Sequence, residues 1–256
     1  MLAQWLEALI ESEDDAERDF YDDIISSFDF RRYAELKQEF DESTVENSWF
    51  NLPFYISRGY KFAKKLDLHR RPPLQILDLA CGPNYFGYVC QRLGHHVAGV
   101  DYPHPAFTAI SDFLGVTFIG EPIKPQKPVP GTRRYDVVTA WRASFYQRAY
   151  GELWTLEDWS FFFDDLFRNR MTQQGQIHFM LNRMEGMKGL RVNSPDFAKF
   201  IEDLGGQAKG NLITFKTNPD TSATFASILR RFVSALDSLS RGSFLGFRSR
   251  VREPSR

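Results

Sequence analysis

Ile76-Leu77-Asp78-Leu79-Ala80-Cys81-Gly82-Pro83-Asn84-Tyr85-Phe86-Gly87 reads as a buried strand, a tight glycine turn and a helix start, with a carboxylate near the strand end. Gly82 permits a backbone conformation that a side chain obstructs, and Gly87 lets the helix pack close to a sheet. The helix start leaves N–H groups aimed at whatever occupies the turn. Phe86, Val89, Cys90 and Leu93 recur at i, i+3, i+4 and i+7, and Gly94 ends the helix as its C′ residue. A second apolar strand, Val97-Ala98-Gly99-Val100, follows and closes on Asp101. Strand, glycine turn, helix, strand and acid together make a nucleotide-cofactor cradle.

The acids narrow the ligand. A carboxylate at Asp101 is placed to accept both hydroxyls of a ribose. A dinucleotide cradle wants its turn free of negative charge, because pyrophosphate sits there. Asp78 instead suits a cationic ligand. A nicotinamide-dependent oxidoreductase built on Gly82, Asn84 and Gly87 is therefore the weaker reading.

The run from Asp78 to Gly87 together with Asp101 resembles the cofactor site of class I S-adenosylmethionine-dependent methyltransferases. The resemblance extends through Tyr135-Asp136-Val137-Val138-Thr139-Ala140-Trp141, similar to the family's fourth strand. It continues through Gly175-Gln176-Ile177-His178-Phe179-Met180-Leu181-Asn182, similar to the fifth, and covers about residues 71–216. It implies an α/β, Rossmann-like, doubly wound and mostly parallel sheet with helices on both faces. It implies S-adenosylmethionine as cofactor, with Asp78 at the amino-acid end, the turn residues Ala80, Cys81, Gly82 and Asn84 around it, and Asp101 on the ribose. Phe86, Tyr102 and His104 are the further candidate cofactor residues, His104 lining the adenosine side. Asn84 stands where the family usually has a second glycine, and its side chain is expected to occupy room in the turn. Asn tolerates the left-handed backbone that this position needs.

The chain has 256 residues and a net charge of -1. That length supports a substantial core, and that charge gives no global pull toward nucleic acid or an anionic membrane. Two cysteines, Cys81 and Cys90, form neither a disulfide framework nor a metal-ligand spacing, and both read as reduced packing residues. The first residues lack a basic flank, and no apolar run approaches membrane-spanning length. The expected location is the cytoplasm.

Three parts are expected. Residues 1–70 form a helical cap, with Leu2, Trp5, Leu6, Leu9 and Ile10 on one face, an acidic run at 11–19, and a second helix marked by Tyr55, Gly59, Phe62, Ala63 and Leu66. Residues 71–216 hold the cofactor domain. There Phe107, Ile110, Phe113 and Leu114 mark a helix closed by Gly115. Val116-Thr117-Phe118-Ile119 is a third strand, 121–131 a loop, and Trp159 to Phe167 the apolar face of a strong helix. Ser194-Pro195-Asp196 opens another helix that Gly205 stops, and Leu212-Ile213-Thr214-Phe215 is a sixth strand. The family's seventh, antiparallel strand has no clear counterpart, because 205–211 is too short to hold one. Residues 217–256 contribute a helix over 221–239 and a basic tail, in which 244–251 also reads as a late strand.

Methyl transfer asks for alignment and exclusion of water more than for side-chain chemistry. Candidates belong at the carboxyl ends of the strands. Arg142 and Tyr146, with Ser144, follow the fourth strand and are the candidate catalytic residues, Arg142 for an acidic acceptor or the cofactor carboxylate and Tyr146 for orienting the acceptor. Asn182 and Arg183 end the fifth. His95 and His96 enter their strand at its amino end, away from the site, and His178 lies within a strand as a core histidine. Most of the 24 Phe, 10 Tyr and 5 Trp fall at core spacing, whereas Trp49, Phe50, Phe54 and Tyr55 suit a lid over a small, partly apolar acceptor. No basic stripe with interleaved aromatics marks a nucleic-acid partner. A non-catalytic binding protein of the same fold is the alternative, and no segment specifies an oligomeric interface.

Overall fold

The computed structural model describes residues 15–40, 48–147, 152–182 and 190–216. The expected helices at 1–10 and 221–239, the late strand at 244–251 and Arg183 lie outside the described residues.

Among the described residues three α-helices precede the sheet: α1 (Asp15–Ser27), α2 (Phe30–Glu39) and α3 (Leu52–Lys65). Asp29 and Asn51 cap the last two through side-chain oxygens that accept from Arg32 N and Phe54 N. The glycine-turn stretch becomes β1 (Gln75–Leu79) and α4 (Tyr85–Arg92), followed by β2 (His96–Asp101), α5 (Pro105–Leu114) and β3 (Thr117–Gly120). Gly94 and Gly115 take φ values of 90° and 67°, ending α4 and α5 as the sequence requires. Next come β4 (Tyr135–Ala143), a small ribbon of β5 (Tyr146–Gln147) against β6 (Glu152–Leu153), and α6 (Leu156–Asp165) with a capping box between Thr155 and Asp158. A π turn, Leu166–Arg170, leads into β7 (Met171–Leu181); then follow α7 (Pro195–Asp203), β8 (Gln207–Lys209) and β9 (Leu212–Lys216).

Seven strands form one sheet in the order β3-β2-β1-β4-β7-β9-β8. β9 alone runs antiparallel to both its neighbours, so β8 points with the rest. Two expectations are corrected here. The segment 205–211 does hold a strand, because β8 needs only three residues when Gly210, at φ 63°, turns the chain straight back into β9. Consequently 212–216 is the antiparallel strand beside β7 rather than a parallel sixth. Asn211 fixes the hairpin, its Nδ2 donating to Leu181 O at 2.6 Å and its carbonyl accepting from Leu181 N at 2.9 Å.

The sheet is covered on both faces. Leu77, Val138 and Phe179 pack with Trp159, Phe163 and Phe200 of α6 and α7. Ile76 and Val137 face the other way, into a core with α1 to α5 that includes Tyr21, Tyr33, Ile56, Tyr60 and Val89. Asp78 and Thr139, two residues on from Ile76 and Val137, therefore project toward the face that the N-terminal helices cover. No helix among the described residues is long and apolar enough to cross a membrane.

Candidate active site

The carboxyl ends of β1, β2 and β4 meet at one place, since Asp78 stands level with Gly99 on one side and Thr139 on the other. The chain leaves β1 through three left-handed residues, Ala80 at φ 54°, Gly82 at 56° and Asn84 at 61°. Ala80 and Asn84 each carry the strain of that conformation, and Gly82 avoids it. A Cβ added at Gly82 would meet nothing within 4 Å, so the turn opens into free space.

Asp101 holds that turn. Its Oδ2 accepts from Gly82 N at 2.8 Å and its Oδ1 from Tyr102 N at 2.7 Å. Asp78 is 2% exposed, and Thr139 Oγ1 donates to its Oδ1 at 2.7 Å. Burial pushes its pKa up to about 7, the Thr139 bond pulls it down, and the Asp101 charge raises it further. Among the described residues no cation is paired to this buried carboxyl.

The Asn84 side chain does not enter the turn. It is fully buried and tucked inward between α4 and the sheet, where Nδ2 donates to Thr117 O at 3.1 Å. The space it fills is provided by two glycines: a Cβ at Gly87 would lie 2.2 Å from Asn84 Oδ1, and one at Gly99 2.6 Å from Asn84 Nδ2. The ligand side of the turn thus keeps a bare backbone. Phe86 also points inward, edge-on to Trp141 at 5.7 Å. Cys81 and Cys90 are free thiols that burial drives well above their usual pKa, which keeps them protonated and unreactive.

Beyond Asp101 an aromatic group assembles. His104 caps α5, its Nδ1 accepting from Ala106 N at 3.2 Å. Its ring lies 4.7 Å from Trp49, 5.0 Å from Phe107 and 5.8 Å from Tyr102. Trp49 is brought there by Tyr85, whose hydroxyl donates to Trp49 O at 2.8 Å and pairs in the interior with the Tyr33 hydroxyl. Tyr55 of α3 stacks on Tyr85 at 4.9 Å.

On the other flank β4 ends in a bulge at Arg142, which adopts φ 56° and is exposed. Asn182, at the end of β7, fixes it, with Nδ2 donating to Arg142 O and, at 2.9 Å, to Ser144 Oγ. Tyr146 follows in the β5–β6 ribbon, its backbone paired with Leu153. Arg58 of α3 also reaches this flank; its helix spacing with Tyr55 and Phe62 was a signal available in the sequence.

His95 precedes β2 at the opposite, amino end of the strands, whereas His178 lies within β7, level with Thr139. His95 accepts from Leu74 N at 3.2 Å through Nδ1 and bonds Leu68 O at 3.0 Å through Nε2. Burial pushes the His178 pKa down to about 4, assisted by Arg71 and Lys216.

No protein-family model and no curated protein matches the sequence. Among solved structures, the chain is similar to the 1,6-didemethyltoxoflavin-N1-methyltransferase of Burkholderia thailandensis, with S-adenosylhomocysteine bound, at 13% identity and TM-score 0.45, over 73% of this chain and 90% of that one. It is also similar to CalS10, an amino pentose methyltransferase from Micromonospora echinaspora with S-adenosylmethionine bound, at 16% identity and TM-score 0.37, over 50% of this chain and 51% of that one. The sheet itself, five parallel strands extended by the β8–β9 hairpin in which β9 runs antiparallel, is an α/β, Rossmann-like, mostly parallel sheet with helices on both faces.

Proposed function

We propose that the protein binds S-adenosylmethionine at the β1 turn and transfers its methyl group to a small-molecule acceptor. The observation that carries this reading is the pair of carboxyls flanking an open glycine turn: Asp78 buried with no cation paired to it among the described residues, Asp101 bonded to Gly82 N–H. Asp78 would hold the ammonium of the methionyl end. Asp101 would accept the ribose hydroxyls through capacity a carboxylate oxygen retains beyond one amide bond. Tyr102, His104 and Trp49 would flank the adenine, and the inward-facing Asn84 and Phe86 would support the cradle from behind.

The sulfonium supplies the electrophilic methyl, so this chain's residues need only place a nucleophile in line with it and exclude water. The helical segment before β1 serves as the cap, through Trp49 and Tyr55. Arg142 and Tyr146, at the carboxyl end of β4, stand on the acceptor side.

A thermal unfolding series tests the reading. S-adenosylhomocysteine at about a hundred times its Kd should stabilise the fold by about 2.7 kcal/mol. NAD at the same concentration should leave the unfolding temperature unchanged. Stabilisation by NAD alone would transfer the site to nicotinamide chemistry.

A further inference from the structure

The acceptor flank carries two arginines, Arg58 and Arg142, that have no counter-charge among the described residues. Arg58 lies 5.5 Å from the Phe62 ring and 5.6 Å from the Phe54 ring. Phe62 stacks on Trp141 at 4.1 Å with the rings 5° from parallel, and Trp141 immediately precedes Arg142. That aromatic ladder brings the α3 arginine to the end of β4 that carries Arg142, and burial, then the Arg142 charge, lower the Arg58 pKa. Burial raises the Tyr55 pKa, and the charges of both arginines pull it back. Among the described residues neither arginine has a carboxylate within 4.0 Å. In the same cluster the Trp141 Nε1–H is buried without an acceptor.

This arrangement is costly unless something compensates it. Two like charges repel, and Arg142 is held in a left-handed backbone that strains a non-glycine residue. The Asn182 side chain holds that bulge in place. Guanidinium groups match a carboxylate in shape and charge, and the surrounding rings suit an apolar body.

We propose that Arg58 and Arg142 clamp an anionic group, a carboxylate on a small apolar or aromatic body, and that the methyl acceptor is therefore an acid. This rests on the methyltransferase reading for the word acceptor; the anion site itself does not. An anion there neutralises the arginine pair beside a cationic cofactor, and a cationic acceptor is repelled.

The test uses the full chain, with benzoate and phenylacetate as probes and benzamide and phenylacetamide as their neutral counterparts, titrated by ligand-observed NMR with and without S-adenosylhomocysteine. At least one acid should bind about tenfold more tightly than its amide. That preference should vanish in Arg58→Gln and Arg142→Gln and partly return in Arg142→Lys, each variant first shown to unfold cooperatively. No preference in the wild type, or a preference that survives both Gln substitutions, overturns the proposal. If the Gln variants instead lose S-adenosylhomocysteine affinity about tenfold, the arginines serve the cofactor's carboxylate and the acceptor assignment falls. Failure of wild-type S-adenosylhomocysteine binding is read separately: it sinks the methyltransferase reading, whereas the acid preference without it still decides the anion site.

Discussion

The Gly82 amide donates to Asp101 Oδ2 across 2.8 Å, tying the turn after β1 to the carboxyl end of β2. One carboxylate thereby shapes the turn and faces the space into which the turn opens. Asp101→Asn keeps an acceptor for the amide but loses the charge, and it should weaken S-adenosylhomocysteine about tenfold. Circular dichroism should show its fold unchanged; unaltered affinity would mean that Asp101 lies outside the ligand seat.

Asp78 makes binding depend on pH. Its pKa in the fold, raised by burial to about 7, lies above the ordinary aspartate value of 3.8. Between these values the folded state keeps a proton that the unfolded state has lost. Its contribution to stability is thus fully present below about 4 and is lost as pH rises through about 7. A cationic ligand favours the carboxylate, so binding below about pH 7 should release a proton and affinity should rise up to tenfold per pH unit there. Calorimetry in buffers of different ionisation enthalpy measures the release, and Asp78→Asn should abolish it. A pH-independent affinity in the wild type would contradict the assignment.

Asn84, Gly87 and Gly99 form one packing unit. Gly99→Ala should destabilise by about 1–3 kcal/mol, since its Cβ meets both Asn84 and Cys81. Gly87→Ala should cost a similar amount alone and clearly less in an Asn84→Gly background, because the atom it strikes is then gone. Asn84→Gly itself should cost about 1 kcal/mol through the lost Thr117 bond and leave ligand affinity unchanged. Denaturant titrations of the four proteins give the coupling; additive effects would refute it.

Tyr85 joins the cap to the turn helix. Tyr85→Phe leaves the Tyr33 hydroxyl and the Trp49 carbonyl without their bonds and should cost about 1–3 kcal/mol. Loosening Trp49 should also lower affinity for the adenosine end more than for a methionine fragment. Equal losses for both would detach Trp49 from the adenine side.

What the sequence disclosed followed from local chemistry. Gly94, Gly115 and Ser194-Pro195 mark helix ends because caps and stops depend on adjacent residues. The first core face was equally plain, because Phe86, Val89 and Cys90 keep helical period. Strand β8 escaped because Gln207-Ala208-Lys209 is too short and polar to show alternation. β7 begins at Met171, before the expected Gly175, and this start was hidden because Thr172, Gln173 and Gln174 carry no apolar pattern and fall in an irregularity of the pairing with β4. The direction of the Asn84 side chain could not be read from the turn alone; Gly87 on α4 and Gly99 on the neighbouring strand together make room for it. Arg58 keeps helical spacing with Tyr55 and Phe62, but only the long-range stacking of Phe62 on Trp141 places it near the end of β4.

The most direct test is a calorimetric titration of the folded wild-type protein with S-adenosylmethionine and with S-adenosylhomocysteine, repeated on Asp101→Ala. The account predicts saturable one-to-one binding of both ligands and a loss of about tenfold or more in the variant. Binding of neither ligand to the folded wild type would contradict it.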